Sequence, residues 1–359
     1  MNKFLKTLFY TSSLLFAFVF ISVYSQSAGE RPASPAKTNF TLFGRGMYPG
    51  DDSTYSLIKA SGFTTVILSS FYIHADGDVY SGDDRNPIIH NGTYVGSREW
   101  LTRVASLKKK QSSVSRIEIL LEGRWYHQPP NTFDFIKDWT DTSIKGVPAN
   151  IITGTGKKST LYNIAKVLKE KIGADAVCID DESVYDSKSI IQFGKMLNKL
   201  NMHMTLCPFT KKTYWKDIID GSQKGLIDAV YLQCYDGGRR NTVAPWHDSL
   251  QTNISVYPIF LCRGAFGKCS ASHNSKTPDE IKAQMISFKK DYAAMSGGAI
   301  WQMADVKNYV RMNCAALDSS SGSAATVSEY LKRLRNSLQE GLHRSSPISS
   351  AGIQGWQRD

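Results

Sequence analysis

The sequence predicts a closed (β/α)8 barrel of TIM type in a single domain, and three observations carry that prediction. Eight short apolar runs follow one another between Phe40 and Trp301. Segments with helical spacing or long loops separate them. The runs are nearly continuous in hydrophobicity, as strands must be when a parallel sheet is covered on its outside by helices.

The runs are Phe40 to Phe43, Thr64 to Ser69, Ile117 to Leu121, Ala174 to Ile179, His203 to Cys207, Ile227 to Gln233, Val256 to Leu261 and Ala299 to Trp301. Between the third and fourth, Leu161, Ile164, Leu168 and Ile172 recur at the spacing of one helical face; Ile281, Met285, Phe288 and Tyr292 do so before the eighth. Thr277-Pro278-Asp279-Glu280 reads as a capping box with proline at the first helical position. A doubly wound open sheet is the alternative, but it would normally carry a glycine-rich phosphate turn after its first strand, and Phe43-Gly44-Arg45-Gly46-Met47-Tyr48 does not complete one.

The barrel is expected over residues 39–342, its last helix running from Thr326 to Leu342. Residues 343–359 show no periodicity and read as a mobile tail. At the other end, Lys3 and Lys6 precede an apolar run from Leu8 to Tyr24, with small residues near Ser25, so residues 1–25 read as a secretory signal and 26–38 as a flexible leader. An uncleaved anchor is the alternative, since the run approaches the ~20 residues that span a bilayer. With the signal removed, no stable membrane insertion is expected, and the protein is expected to be secreted or periplasmic.

Of the 359 residues 42% are hydrophobic and 21% charged, a globular mix that excludes disordered, collagen-like and coiled-coil chains. Loss of Lys3 and Lys6 takes two from a formal charge of +11. The remaining basic residues are spread along helices, without the aromatic interleaving of a nucleic-acid surface, so no nucleic-acid partner is expected. The six cysteines form no C-x-x-C pair. Cys262 and Cys269 flank a loop that an oxidising compartment could close with a disulfide, and the other four read as packed thiols.

Several motifs fail on spacing. Gly154-Thr155-Gly156-Lys157-Lys158-Ser159 lacks the phosphate-loop glycine at Ile151 and the hydroxyl at Lys158, and reads as a loop with a helix cap at Ser159. His74-Ala75-Asp76-Gly77-Asp78 breaks the calcium-loop pattern at Tyr80 and reads as a turn. No metal and no cofactor is expected. Serine-hydrolase and zinc-protease motifs are absent.

The strongest signal ends the fourth run, at Asp175-Ala176-Val177-Cys178-Ile179-Asp180-Asp181-Glu182. With a side-chain period of two, Cys178, Asp180 and Glu182 point one way and Val177 and Ile179 the other, so the apolar pair can pack on helices while the acids enter the barrel mouth. Active sites of such barrels form at the C-terminal ends of strands. The competing reading is a solvated acidic loop that caps the next helix. Two other strands tip the balance by ending on polar or aromatic groups: the sixth on Gln233-Cys234-Tyr235-Asp236 and the eighth on Trp301-Gln302.

These residues resemble glycoside hydrolase family 18, the chitinases and endo-β-N-acetylglucosaminidases, whose fourth strand carries D-x-x-D-x-D-x-E. Asp181 before Glu182 looks more like the endo-β-N-acetylglucosaminidases, and Gln233, Tyr235 and Trp301 match family positions. The resemblance implies an oligosaccharide or glycan substrate and retaining hydrolysis in which the substrate's own 2-acetamido group is the nucleophile. By position, Glu182 would be the general acid and base, Asp180 would orient the acetamido group, and Tyr235 would bond its oxygen. Gln233 and Trp301 would line the sugar subsite, with Asp181, Asp236 and Arg124 as further substrate contacts.

Departures accompany the likeness. Cys178 stands where the family has aspartate, Ala176 where it has glycine, and the third strand reads Leu121-Glu122-Gly123-Arg124 in place of S-x-G-G. Glu122 and Arg124 would suit a differently decorated sugar. A neutral Cys178 thiol should also leave Asp180 ionising more readily. A catalytically silent carbohydrate-binding barrel is the reading of another class, discriminated by retention of Asp180 and Glu182 on one face. The tryptophans at 100, 125, 139, 215 and 246 are either sugar platforms or, for most of them, buried between helices.

Overall fold

A computed structural model describes residues 38–82, 85–123, 130–317, 324 and 326–343. Eight parallel strands close into a barrel: β1 (Asn39–Phe43), β2 (Thr65–Ile73), β3 (Arg116–Glu122), β4 (Ala176–Asp180), β5 (His203–Leu206), β6 (Ile227–Gln233), β7 (Ser255–Leu261) and β8 (Gly297–Trp301). Closure is made by β1, which pairs with β2 through Thr41, Leu42 and Phe43 and with β8 through Asn39 to Leu42. An open doubly wound sheet is thereby excluded. All eight apolar runs are strands.

Alternation along each strand divides the core into two. Val177 and Ile179 of β4 join the large apolar layer between barrel and helices. Cys178 faces inward with Phe43, Ile67, Leu120, Tyr231 and Ile259, filling the barrel. Trp100, Trp139, Trp215 and Trp246 are buried in the outer layer; Trp125 lies outside the described residues.

The helices begin where side chains satisfy their free N–H groups. Ser159 caps α4 (Thr160–Val167), accepting from Tyr162 N. Thr277 and Glu280 form the capping box of α8 (Pro278–Asp291), which buries Ile281, Met285 and Phe288. The last helix starts at Val327 behind a second capping box, Thr326 with Glu329, and ends at Leu342. Gly341 lets it lie close on α8, where a β-carbon would collide with Met285.

Two features depart from the sequence reading. After β2, which runs to Ile73 and is buried throughout, a small antiparallel ribbon (Val79–Ser81, Ile89–His90, Thr93–Tyr94) extends the sheet. Its strands are two or three residues long, too short to show a period. The disulfide is not Cys262 with Cys269: Cys269 bonds Cys314, tying the loop after β7 to the turn after helix α9 (Met303–Arg311), while Cys262 is a buried free thiol. Cys262 ends up inside because it continues β7, bridged to Lys276, with its thiol in the outer apolar layer.

The barrel floor is polar. Arg116 bonds Glu118 Oε1 at 2.6 Å and forks onto Asp228 at 2.6 and 2.8 Å, while Tyr231 donates to the same Glu118 oxygen at 3.1 Å and Thr205 to Oε2 at 2.6 Å. Glu118 has no exposed surface, and burial raises its pKa against the pull of Arg116. The proposed signal and all of the leader but Thr38 lie outside the described residues, as does the tail after His343. Among the described residues no helix is long and apolar enough to cross a membrane.

Candidate active site

The C-terminal ends of β3, β4, β6 and β8 bring six polar or aromatic groups to one mouth. Asp180 is the last residue of β4, buried to 7% exposure, and Glu182, two residues on, is exposed above it. Gln233, the last residue of β6, joins them through a single nitrogen: its Nε2 donates to Asp180 Oδ1 at 3.1 Å, to Glu182 Oε1 at 3.0 Å and to the Cys207 carbonyl at 3.2 Å. Tyr235 and Trp301 lie beside this bridge with ring centroids 5.9 Å apart and planes 30° from parallel. Trp301 is half-buried and leans on Phe43 at 5.0 Å.

A third carboxylate faces the pair. Glu122 ends β3 in register with Asp180, and the hydroxyls of Ser70 and Tyr72 on β2 donate to it, Tyr72 at 2.5 Å. Burial, then the negative charges of Glu182 and Glu122, raise the Asp180 carboxyl well above the usual carboxylate range, opposed by hydrogen bonding to Cys207. This overturns the expectation that Asp180 ionises more readily because Cys178 is neutral. Depth in the barrel dominates, and Glu122 on the neighbouring strand supplies a like charge that outweighs the smaller push of Cys178 in the same direction. Cys178 and Cys207 are themselves buried against Asp180, and burial raises the Cys207 thiol first, its contact with Cys178 second. Burial likewise keeps the Tyr235 phenol neutral far above its ordinary range.

Other expected contacts fall elsewhere. Asp181 lies on the opposite face of the strand, where its carboxylate accepts from the backbone of Ser183, Val184 and Tyr185 at 2.8 to 3.0 Å and from the Tyr214 hydroxyl at 2.8 Å. It is the cap of the turn after β4 and has no capacity left for a sugar. The competing reading of the acidic run, a loop cap, is thus right for one of its three acids. Asp236 begins a one-turn helix at φ 44° and points to His273, 3.2 Å away on the loop after β7. Arg124 lies outside the described residues. Sequence reading gave no weight to Ser70, Tyr72 or Cys207. Cys207 carried a signal, its place at the end of an apolar run; Ser70 and Tyr72 meet Glu122 only through strand pairing.

The mouth thus holds an exposed carboxyl and a buried proton-holding one joined by an amide, with an aromatic wall. Such an arrangement sets a carboxyl that holds its proton beside one open to solvent, the two kinds of group that acid–base chemistry needs.

No protein-family model matches the chain, and no curated protein matches it in sequence. Solved structures resemble its architecture. A chitinase from Bacteroides thetaiotaomicron is 13% identical, with a TM-score of 0.49 over 87% of this chain and 100% of that one. The spore cortex-lytic enzyme SleL from Bacillus megaterium is 11% identical, with a TM-score of 0.46 over 76% of this chain and 72% of that one. A sugar phosphate isomerase/epimerase from Parabacteroides distasonis is 11% identical, with a TM-score of 0.45 over 88% and 99%.

Proposed function

We propose that the chain is a retaining glycoside hydrolase that cleaves β-linked N-acetylglucosamine-containing glycans, with Glu182 as general acid and base. The single observation that carries this reading is the Gln233 amide spanning Asp180 and Glu182 at the mouth. One amide nitrogen donates to both carboxyls and so sets their spacing, while burial and neighbouring negative charge favour a proton kept by the pair.

In the proposed reaction Glu182 gives that proton to the glycosidic oxygen as the bond to C1 breaks. The substrate's acetamido oxygen closes on C1 to form an oxazolinium ion, and its N–H is held by Asp180. The neutral Tyr235 hydroxyl donates to the acetamido oxygen, and Trp301 lies under the ring. Water then adds to C1, Glu182 takes its proton, and the amide is restored. Asp180 takes the charge that develops on the acetamido nitrogen, in a site poor in water where such an interaction counts for more.

Secretion belongs to the same proposal: Lys3 and Lys6 before the apolar run, and a Cys269–Cys314 disulfide suited to an oxidising compartment, support it. Glu182→Gln tests the chemistry. Digestion of N-acetylglucosamine oligosaccharides and N-glycans, followed by mass spectrometry, should fall by roughly 100-fold or more. Binding should stay within a few fold. A variant that keeps most of its turnover sinks the assignment.

A further inference from the structure

The loop after β7, from Arg263 to Lys276, leans over the end of β6 and presents an aromatic side chain to solvent. Phe266 is 61% exposed, the most exposed large apolar side chain among the described residues. One exposed apolar residue is ordinary in itself. What distinguishes Phe266 is how firmly it is held there.

Its backbone sits at φ 53°, a left-handed conformation that is costly for a bulky side chain. The turn is braced by Gly264 N to Lys268 O, Gly267 N to Gly264 O and Lys268 N to Ala265 O, and the Phe266 N–H bonds the buried Asp305 carboxylate on α9. Gly264 lies against the α9 backbone with no room for a β-carbon. The Cys269–Cys314 disulfide and the Cys262–Lys276 bridge anchor the rest of the loop.

The ring reaches the mouth through two contacts. Phe266 lies 4.5 Å from the His273 ring, His273 Nδ1 is 3.2 Å from Asp236 Oδ1, and Asp236 adjoins Tyr235. Asn274 also donates to the Cys234 carbonyl at 3.3 Å, fixing the loop on the end of β6. Aromatic face, imidazole and carboxylate therefore stand together on the rim, all partly in water; the His273 and Asp236 side chains are 44% and 59% exposed. A pyranose suits this set: its axial C–H face packs on a flat ring while its hydroxyls bond a carboxylate and an imidazole at the edge.

We propose that Phe266, with His273 and Asp236, forms an outer sugar subsite that holds a pyranose of the same glycan beyond the residues bound at the mouth. The inference rests on the glycosidase reading above. It adds that the protein grips long chains better than short ones, because only a long chain reaches the rim.

Calorimetry on the Glu182→Gln protein tests this with N-acetylglucosamine oligosaccharides of two and six units. Phe266→Ala should weaken the six-unit ligand by about tenfold or more, as loss of an aromatic platform does, and leave the two-unit ligand within twofold. Phe266→Trp should keep the six-unit affinity. Mass spectrometry confirms that Cys269–Cys314 is intact and melting that the variant is folded. Unchanged six-unit affinity, or equal weakening of both ligands, overturns the subsite. If the six-unit ligand fails to bind with Phe266 in place, the N-acetylglucosamine reading itself is overturned, and the subsite with it.

Discussion

Gln233 holds Glu182: the amide nitrogen at the end of β6 lies 3.0 Å from a carboxylate oxygen in the loop after β4, across the barrel mouth. The same nitrogen fixes Asp180, so one side chain sets the spacing of both acids.

Gln233→Leu keeps the bulk and removes the donor. Hydrogen bonds to charged groups are worth about 1.5–3 kcal/mol each, so turnover should fall on the order of 10- to 100-fold with substrate affinity changing less. Steady-state kinetics on an N-acetylglucosamine oligosaccharide reads the split between kcat and KM. Equal kcat in the variant would show that Glu182 needs no such tether.

Asp305 links pH to stability. Burial pushes its carboxyl up to about 6 from an ordinary 3.8, with hydrogen bonds from Gln302 and Phe266 pulling the other way. A raised acid contributes its full stability below the unfolded pKa and loses it as pH rises through the folded one, here between about pH 4 and pH 6. The loss amounts to roughly 3 kcal/mol at 1.36 kcal/mol per unit. Asp305→Asn should flatten that fall. Urea denaturation of both proteins at pH 4, 5, 6 and 7 gives the difference, and parallel curves would reject it.

The disulfide should matter more than either cysteine's packing. Cys269 and Cys314 are 45 residues apart, a separation for which chain entropy predicts about 4 kcal/mol, with engineered cases usually lower. Cys314→Ser should lower the melting temperature by several degrees, whereas Cys262→Ser should leave thiol counts in the unfolded protein consistent with one remaining disulfide. Loss of the disulfide in Cys262→Ser would restore the pairing that spacing alone suggested.

Legibility followed the range of each interaction. Strand runs, the alternation of β4 and the Thr277 cap depend on neighbours within a few residues, and each was readable. Asp181 was misplaced because its partners include Tyr214, on a helix whose docking no local pattern reports. Glu122 was noted for its chemistry, but its place beside Asp180 comes from the register of β3 on β4, and its donors Ser70 and Tyr72 from that of β2 on β3. Pairing of Cys269 with Cys314 likewise required the loop after β7 to fold back onto α9.

The polar floor has a consequence for the proton at the other end of the barrel. Between the Arg116–Glu118–Asp228 cluster below, with its Tyr231 donor, and Asp180 above lies the inner apolar fill of Phe43, Ile67, Leu120 and Ile259. That plug isolates the two ionisable layers, so hydrogen reaching or leaving Asp180 travels by way of the opening alone. In the proposed reaction, the proton that Glu182 loses to the leaving group and the one that it regains from water both pass through that opening.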